Sequence, residues 1–175
     1  MIKKFTPLLI MIFYCTGAAA RSSDVIEHIG DVLEVALPSY ALGMAVSEDD
    51  WTGVLQLGYS FGATMITVHG IKSIFDVYRP DGSDNKSFPS GHTASAFSGA
   101  TFIHKRYGIK QAAIPYALAA FTGYSRVHAD KHFWDDVIVG AAISGLFTWI
   151  FVDRYEKLRI EASPIHAKLS YRTEF

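Results

Sequence analysis

Four stretches of this chain contain no Asp, Glu, Lys or Arg: Trp51 to Ile71, Ser87 to His104, Gln111 to Ser125 and Val137 to Val152. A helix exposed to water normally carries a charged face, so runs of this kind belong to helices surrounded by other helices or by lipid. A membrane span needs about 20 apolar residues, within a range of about 17–25. The first two runs reach that length, and the other two sit at its margin. All contain Gly, Ser or Thr, which suit close helix contact in a bilayer and also suit a compact soluble bundle. Mean hydropathy is +0.18, modest for an integral protein, while charged residues are 19% against about 25% in soluble domains.

Strand-type alternation is weak throughout, and the pattern predicts an all-α bundle of five to six helices, embedded in a membrane. Five segments are helical: about Asp24–Val46, Trp51–Tyr78, Ser90–Tyr107, Ile109–Val127 and Trp134–Leu158. The breaks fall at Ser47 to Asp50, at Pro80 to Pro89 with its Asp-Gly turn, at Gly108, and at His128 to Phe133. Residues 21–161 form the bundle domain, and the polar tail 162–175 is expected to be only loosely ordered.

Lys3 and Lys4, the apolar run Pro7 to Thr16 and the small residues Gly17 to Ala20 read as a secretory signal cleaved after Ala20. The alternative is that residues 1–20 stay as a first membrane helix. The lone Cys15 rules out an internal disulfide framework. A net charge of -1 gives no basic field for nucleic acid. If the helices alternate across a bilayer, Lys105, Arg106, Lys110 and the tail's Arg154, Lys157 and Arg159 share one side. Basic loops remain cytoplasmic, so the opposite side faces outward, into the periplasm of a Gram-negative cell. A soluble periplasmic protein is the other possibility.

That outward side would hold three blocks with chemical content. Lys72 and Arg79 are seven residues apart, two turns on one face of the second helix, which Pro80 ends. Two cations in a charge-poor segment are costly unless an anion meets them. Pro89-Ser90-Gly91-His92 opens the third helix, whose free N–H groups can cradle a phosphate; Gly91 lets an anion reach the backbone, and Ser90 can cap the helix or donate its hydroxyl. In the last block His132 and Asp136 are four apart, so the carboxylate can accept one imidazole N–H and leave the other nitrogen as nucleophile. Arg126 joins them only if the chain breaks between Arg126 and His132. An unbroken helix would instead align His128, His132 and Asp136 as a metal-ligand stripe, leaving the other cations unexplained.

Lys72 with six residues to Arg79-Pro80, Pro89-Ser90-Gly91-His92, and Ser125-Arg126 with five residues to His132 and three more to Asp136 form a signature. In it the chain resembles the type 2 phosphatidic acid phosphatase superfamily, which includes lipid phosphatases, bacterial non-specific acid phosphatases and vanadium-dependent haloperoxidases. The resemblance implies a metal-independent phosphatase with no cofactor, acting on phosphomonoesters or pyrophosphates of membrane lipids. By position, His132 would be the nucleophile that forms a phosphohistidine, Asp136 its orienting partner and His92 the general acid. Lys72, Arg79, Ser90, Gly91 and Arg126 would bind the phosphoryl oxygens. Members of the membrane branch usually have six spans, and the short chain leaves no room for a haloperoxidase-type extra domain. A soluble acid phosphatase or a catalytically silent helical membrane protein are the competing readings.

Overall fold

A computed structural model describes residues 22–155, 157–162 and 167–172. The expected signal segment lies outside the described residues. Five helices account for the bundle: α1 (Ser22–Ser47), α2 (Trp51–Ile74), α3 (Gly91–Tyr107), α4 (Ile109–His128) and α5 (Trp134–Phe151).

The helix α3 is central and packs against the other four. Its residues explain why. Thr93, Ala94, Ser95, Ala96, Ser98, Gly99 and Ala100 are all small and all buried, so neighbouring backbones approach closely. A side chain at Gly99 would put its Cβ 2.5 Å from the Leu37 backbone of α1. Buried hydroxyls find partners within the bundle: Ser98 donates to the Ala94 carbonyl at 2.8 Å, and Thr101 meets Thr148 of α5 at 2.8 Å. Pro38 inside α1 has no N–H for the Glu34 carbonyl. The Ser95 hydroxyl of α3 supplies that bond at 2.6 Å.

Outward faces are apolar instead of charged. Ile66, Ile74 and Ile114 are each more than 70% exposed on α2 and α4, Trp51 and Leu55 are exposed on α2, and Ile138, Leu146 and Ile150 are exposed on α5. Two helices, Asp24–Ser47 and Trp134–Phe151, are long and apolar enough to cross a bilayer. Large apolar side chains on so many helix exteriors are suited to lipid.

Three expectations need correction. The helix α2 stops at Ile74, short of Tyr78, so Lys72 and Arg79 are not two turns apart on one helix. Instead Val77 donates to the Asn85 carbonyl and Arg79 to the Asp84 carbonyl, both at 3.0 Å, while Ser87 donates to Val77 at 2.9 Å. That loop pairing, with Pro80 biasing Arg79 away from helix, wins over helical continuation. The last helix ends at Phe151, not Leu158, because the chain is drawn against α3, where Tyr155 N–H meets the Arg106 carbonyl at 2.8 Å. Beyond it, β1 (Lys157–Ala162) and β2 (Ala167–Arg172) pair antiparallel, with Lys157 opposite Arg172 and Ala162 opposite Ala167. The tail expected to be loose therefore carries β2, while the alternating Leu158, Ile160 and Ala162 mark β1 in the sequence.

Gly140 of α5 tests the close packing. A Cβ there would lie 2.5 Å from the Ser90 carbonyl, whereas one at Gly145 meets nothing within 4 Å. Gly140→Ala is expected to lower stability by about 1–3 kcal/mol through overpacking. Gly145→Ala gains helix propensity and loses nothing. Thermal unfolding in detergent compares the pair, and equal melting temperatures would refute the contact.

Candidate active site

The ends of four helices converge at one end of the bundle. They are the C-termini of α2 and α4 and the N-termini of α3 and α5. Between them is a cavity of ≈ 360 Å³ lined by Lys72, Arg79, Gly91, His92 and His132, with Glu34, Met65, His69 and Lys86 from outside the three blocks.

The break required between Arg126 and His132 is present. The helix α4 ends at His128, Asp130 adopts φ 53°, and α5 starts at Trp134. A metal stripe through His128, His132 and Asp136 needs helix across this point, so those three do not share a helical face. The turn folds back on α4, with Lys131 and His132 N–H groups reaching the Arg126 carbonyl at 3.0 and 3.2 Å. It is also clamped to the loop after α2: Asp81 N–H meets the Asp130 carbonyl at 3.0 Å, and Lys131 Nζ meets Asp81 Oδ2 at 2.6 Å.

His132 is 2% exposed, with its Nδ1 3.2 Å from Asp136 Oδ2. A carboxylate only accepts, so Nδ1 carries the proton and Nε2 presents its lone pair to the cavity. Arg79 Nη1 sits 3.3 Å from that Nε2. Burial first, then the cations Lys72 and Arg79, push the imidazole's pKa well below its ordinary value, against the pull of Asp136. The imidazole is therefore neutral near pH 7, the form that can attack. Asp136 is itself held. It occupies the third position of α5 and accepts the Phe133 N–H at 3.0 Å, the carboxylate half of a capping box, and it also accepts the Ser87 hydroxyl.

Cations surround the same cavity. Lys72 Nζ donates to the Lys86 and Ser87 carbonyls at 2.5 and 3.0 Å, tying the end of α2 to the loop before α3. Arg79 is braced by Asp84 at 2.8 Å and by the Lys131 carbonyl at 3.1 Å. Ser90 caps α3, its Oγ accepting from Thr93 N at 3.4 Å and Thr93 Oγ1 at 2.9 Å, so its hydroxyl proton is still free to donate. A Cβ on Gly91 would meet only Val68, at 3.8 Å, which leaves the backbone there open to an anion.

Arg126 behaves differently. Its guanidinium is 3% exposed and turned onto α1, with Nη1 2.7 Å from Asp31 Oδ1 and Nη2 2.6 Å from the Glu27 carbonyl. His92 Nε2 meets the same Asp31 oxygen at 3.2 Å and Glu34 Oε2 at 3.2 Å. These α1 acids escaped the sequence reading. Their signal was available as Glu27, Asp31 and Glu34 at i, i+4 and i+7 along one face of the helix. His69, outside the three blocks, also lines the cavity. Ser87, the brace of Asp136, has no signal beyond its place before Pro89.

The sequence profile of the PAP2 superfamily matches residues 53–160. The Helicobacter pylori lipid A 4'-phosphatase is 33% identical over 146 residues, 77% of this chain and 73% of that protein. A lipid A 1-phosphatase of Porphyromonas gingivalis is 40% identical over 111 residues, 61% of this chain but only 21% of that protein. The crystal structure of Aquifex aeolicus LpxE superposes with a TM-score of 0.64 at 25% identity, covering 86% of this chain and 98% of that one. The transmembrane PAP2-type phosphatidylglycerolphosphate phosphatase of Bacillus subtilis shares the fold, with a TM-score of 0.57 at 24% identity over 76% of this chain and 77% of its own.

Proposed function

The chain belongs to the PAP2 superfamily, and from that premise we propose that it removes a phosphate from a glycolipid of the lipid A class through a phosphohistidine at His132. It is a membrane lipid phosphatase, a phosphoric ester hydrolase. The observation that carries the finer reading is the His132–Asp136 pair, with Nδ1 bound to the carboxylate and Nε2 aimed into a cavity lined by cations.

In the first step the Nε2 lone pair attacks phosphorus, a P–N bond forms and the P–O bond to the lipid breaks. The leaving alkoxide takes its proton from His92. Lys72, Arg79, Arg126, Ser90 and the Gly91 N–H meet the equatorial oxygens as charge spreads over them. Asp136 stabilises the imidazolium character that grows on His132. In the second step His92 takes a proton from water, the oxygen attacks phosphorus and the P–N bond breaks, releasing inorganic phosphate and restoring both histidines. Fixed side-chain cations do what a metal would otherwise do for the phosphoryl group, so no metal is required. The site opens on the face away from the cytoplasm, periplasmic in a Gram-negative cell, consistent with Lys105 and Lys110 at the other end of the bundle.

Phosphate release measured over phosphatidate, phosphatidylglycerol phosphate, undecaprenyl pyrophosphate, lipid A phosphates and a small soluble ester tests the reading. The highest kcat/KM is expected on a lipid A phosphate, with full activity in EDTA. Release from the soluble ester alone would favour a non-specific acid phosphatase, and loss in EDTA would refute metal independence.

A further inference from the structure

The acidic face of α1 lies outside the three motifs and outside the residues matched to the superfamily, yet it grips two of the site's groups. Its position is fixed from both sides. A Cβ on Gly30 would be 1.9 Å from Ser125 Oγ, so α1 lies directly against α4 beside Arg126. On the other side Ser95 of α3 binds the Glu34 carbonyl that Pro38 leaves free. Glu34 thereby projects into the cavity, and Asp31 sits between His92 and Arg126.

We propose that Asp31 and Glu34 are positioning residues for His92, fixing its proton on Nε2 so that Nδ1 exchanges the proton with substrate, and that Asp31 holds Arg126 until phosphate replaces it. This deepens the phosphatase reading above and rests on it. Both carboxylates can only accept, so the nitrogen 3.2 Å from each must be a donor. The neutral ring then has a free Nδ1 lone pair, the general base of the second step. The imidazolium carries a second proton on Nδ1, the acid of the first step. Asp31, lying between the imidazolium and the buried Arg126, also counters part of the repulsion between them. Asp31 serves Arg126 as the anion its burial demands.

The test uses full-length protein in detergent with two chain-matched substrates, an alkyl phosphate and a nitrophenyl phosphate. The nitrophenolate leaves without a proton, so only the alkyl ester depends on His92 as acid. Glu34→Gln is expected to lower kcat/KM about tenfold or more on the alkyl ester and less than about threefold on the nitrophenyl ester. In a His92→Ala background the same change should cost nothing further. Asp31→Ala should also tighten competitive inhibition by inorganic phosphate, since Arg126 loses its internal anion. Equal losses on both esters, a loss that persists without His92, or weakened phosphate inhibition would overturn the proposal. Should the wild type hydrolyse neither ester, the phosphatase reading falls, and ¹⁵N resonances of the His92 ring still decide this one. A protonated Nε2 that becomes mixed between both nitrogens in the Asp31→Ala, Glu34→Ala variant supports it; a wild-type proton on Nδ1 refutes it.

Discussion

His132→Ala is expected to reduce phosphate release from a lipid phosphate by about 10⁴-fold or more, as loss of a nucleophile does when the rest of its constellation remains. The bundle should survive the change. Asp136 keeps the Phe133 N–H and Ser87 hydroxyl as donors when the imidazole is gone, so no buried carboxylate is orphaned. Thermal unfolding and gel filtration should therefore match wild type within the small loss from a trimmed buried ring. Wild type given ³²P-labelled lipid and quenched in alkali should carry alkali-stable, acid-labile phosphate on protein, and His132→Ala should carry none. His92→Ala keeps the nucleophile but loses the acid, so its activity on a poor leaving group should fall by about 10²–10⁴-fold. Substantial activity in the variant lacking both histidines would sink the mechanism.

What the sequence made legible was chemistry at fixed local spacing. His132 and Asp136 could be paired from their separation, and Ser90-Gly91-His92 could be placed at a helix start. The need for a break after Arg126 followed from helical geometry, and Asp130 at φ 53° supplies it. The charge-free runs marked the helices, although their ends were misjudged wherever tertiary contact set them. Residues 75–78 could have continued α2, and it is pairing with 84–87 that turns them into a loop. Asp31 and Glu34 went unread for a related reason. Their i, i+4, i+7 pattern looks like a solvated face until α1 is docked on α3 and α4, and the devices that dock it, Gly30, Gly99 and Pro38 with Ser95, are distant in sequence. Arg106, counted in the sequence among the basic residues of the cytoplasmic side, is 5% exposed and paired with Asp50, a burial that its sequence position does not signal.

That Arg106–Asp50 pair should decide stability independently of catalysis, because it closes the bundle at the end away from the cavity. Asp50 caps α2, accepting Gly53 N–H at 2.9 Å, and it also accepts Arg106 Nε at 2.7 Å, Arg106 Nη2 at 2.5 Å and the Tyr107 hydroxyl at 2.8 Å. Arg106 continues to the Asp153 carbonyl at 2.9 Å, so one guanidinium joins the α1–α2 turn to the chain leaving α5. Asp50→Ala removes the cap and leaves a buried cation without its anion, which is expected to cost about 3–5 kcal/mol. Asp50→Asn keeps the cap and the Tyr107 contact and should cost less. Burial would raise the Asp50 pKa, but the donors from Arg106, Gly53 and Tyr107 outweigh it and hold the pKa below its ordinary value. A carboxylate whose folded pKa is depressed contributes stability that is fully present above its unfolded value, about 3.9, and is lost as pH falls through the folded one. Wild type should accordingly lose this increment in acid while Asp50→Ala shows none of it. Melting in detergent from pH 7 down to pH 3 reads both slopes, and phosphate release below the melting temperature should keep wild-type KM, since no part of this cluster lines the cavity. An Asp50→Ala protein as stable as wild type would mean that the pair is solvated in the bilayer-embedded protein.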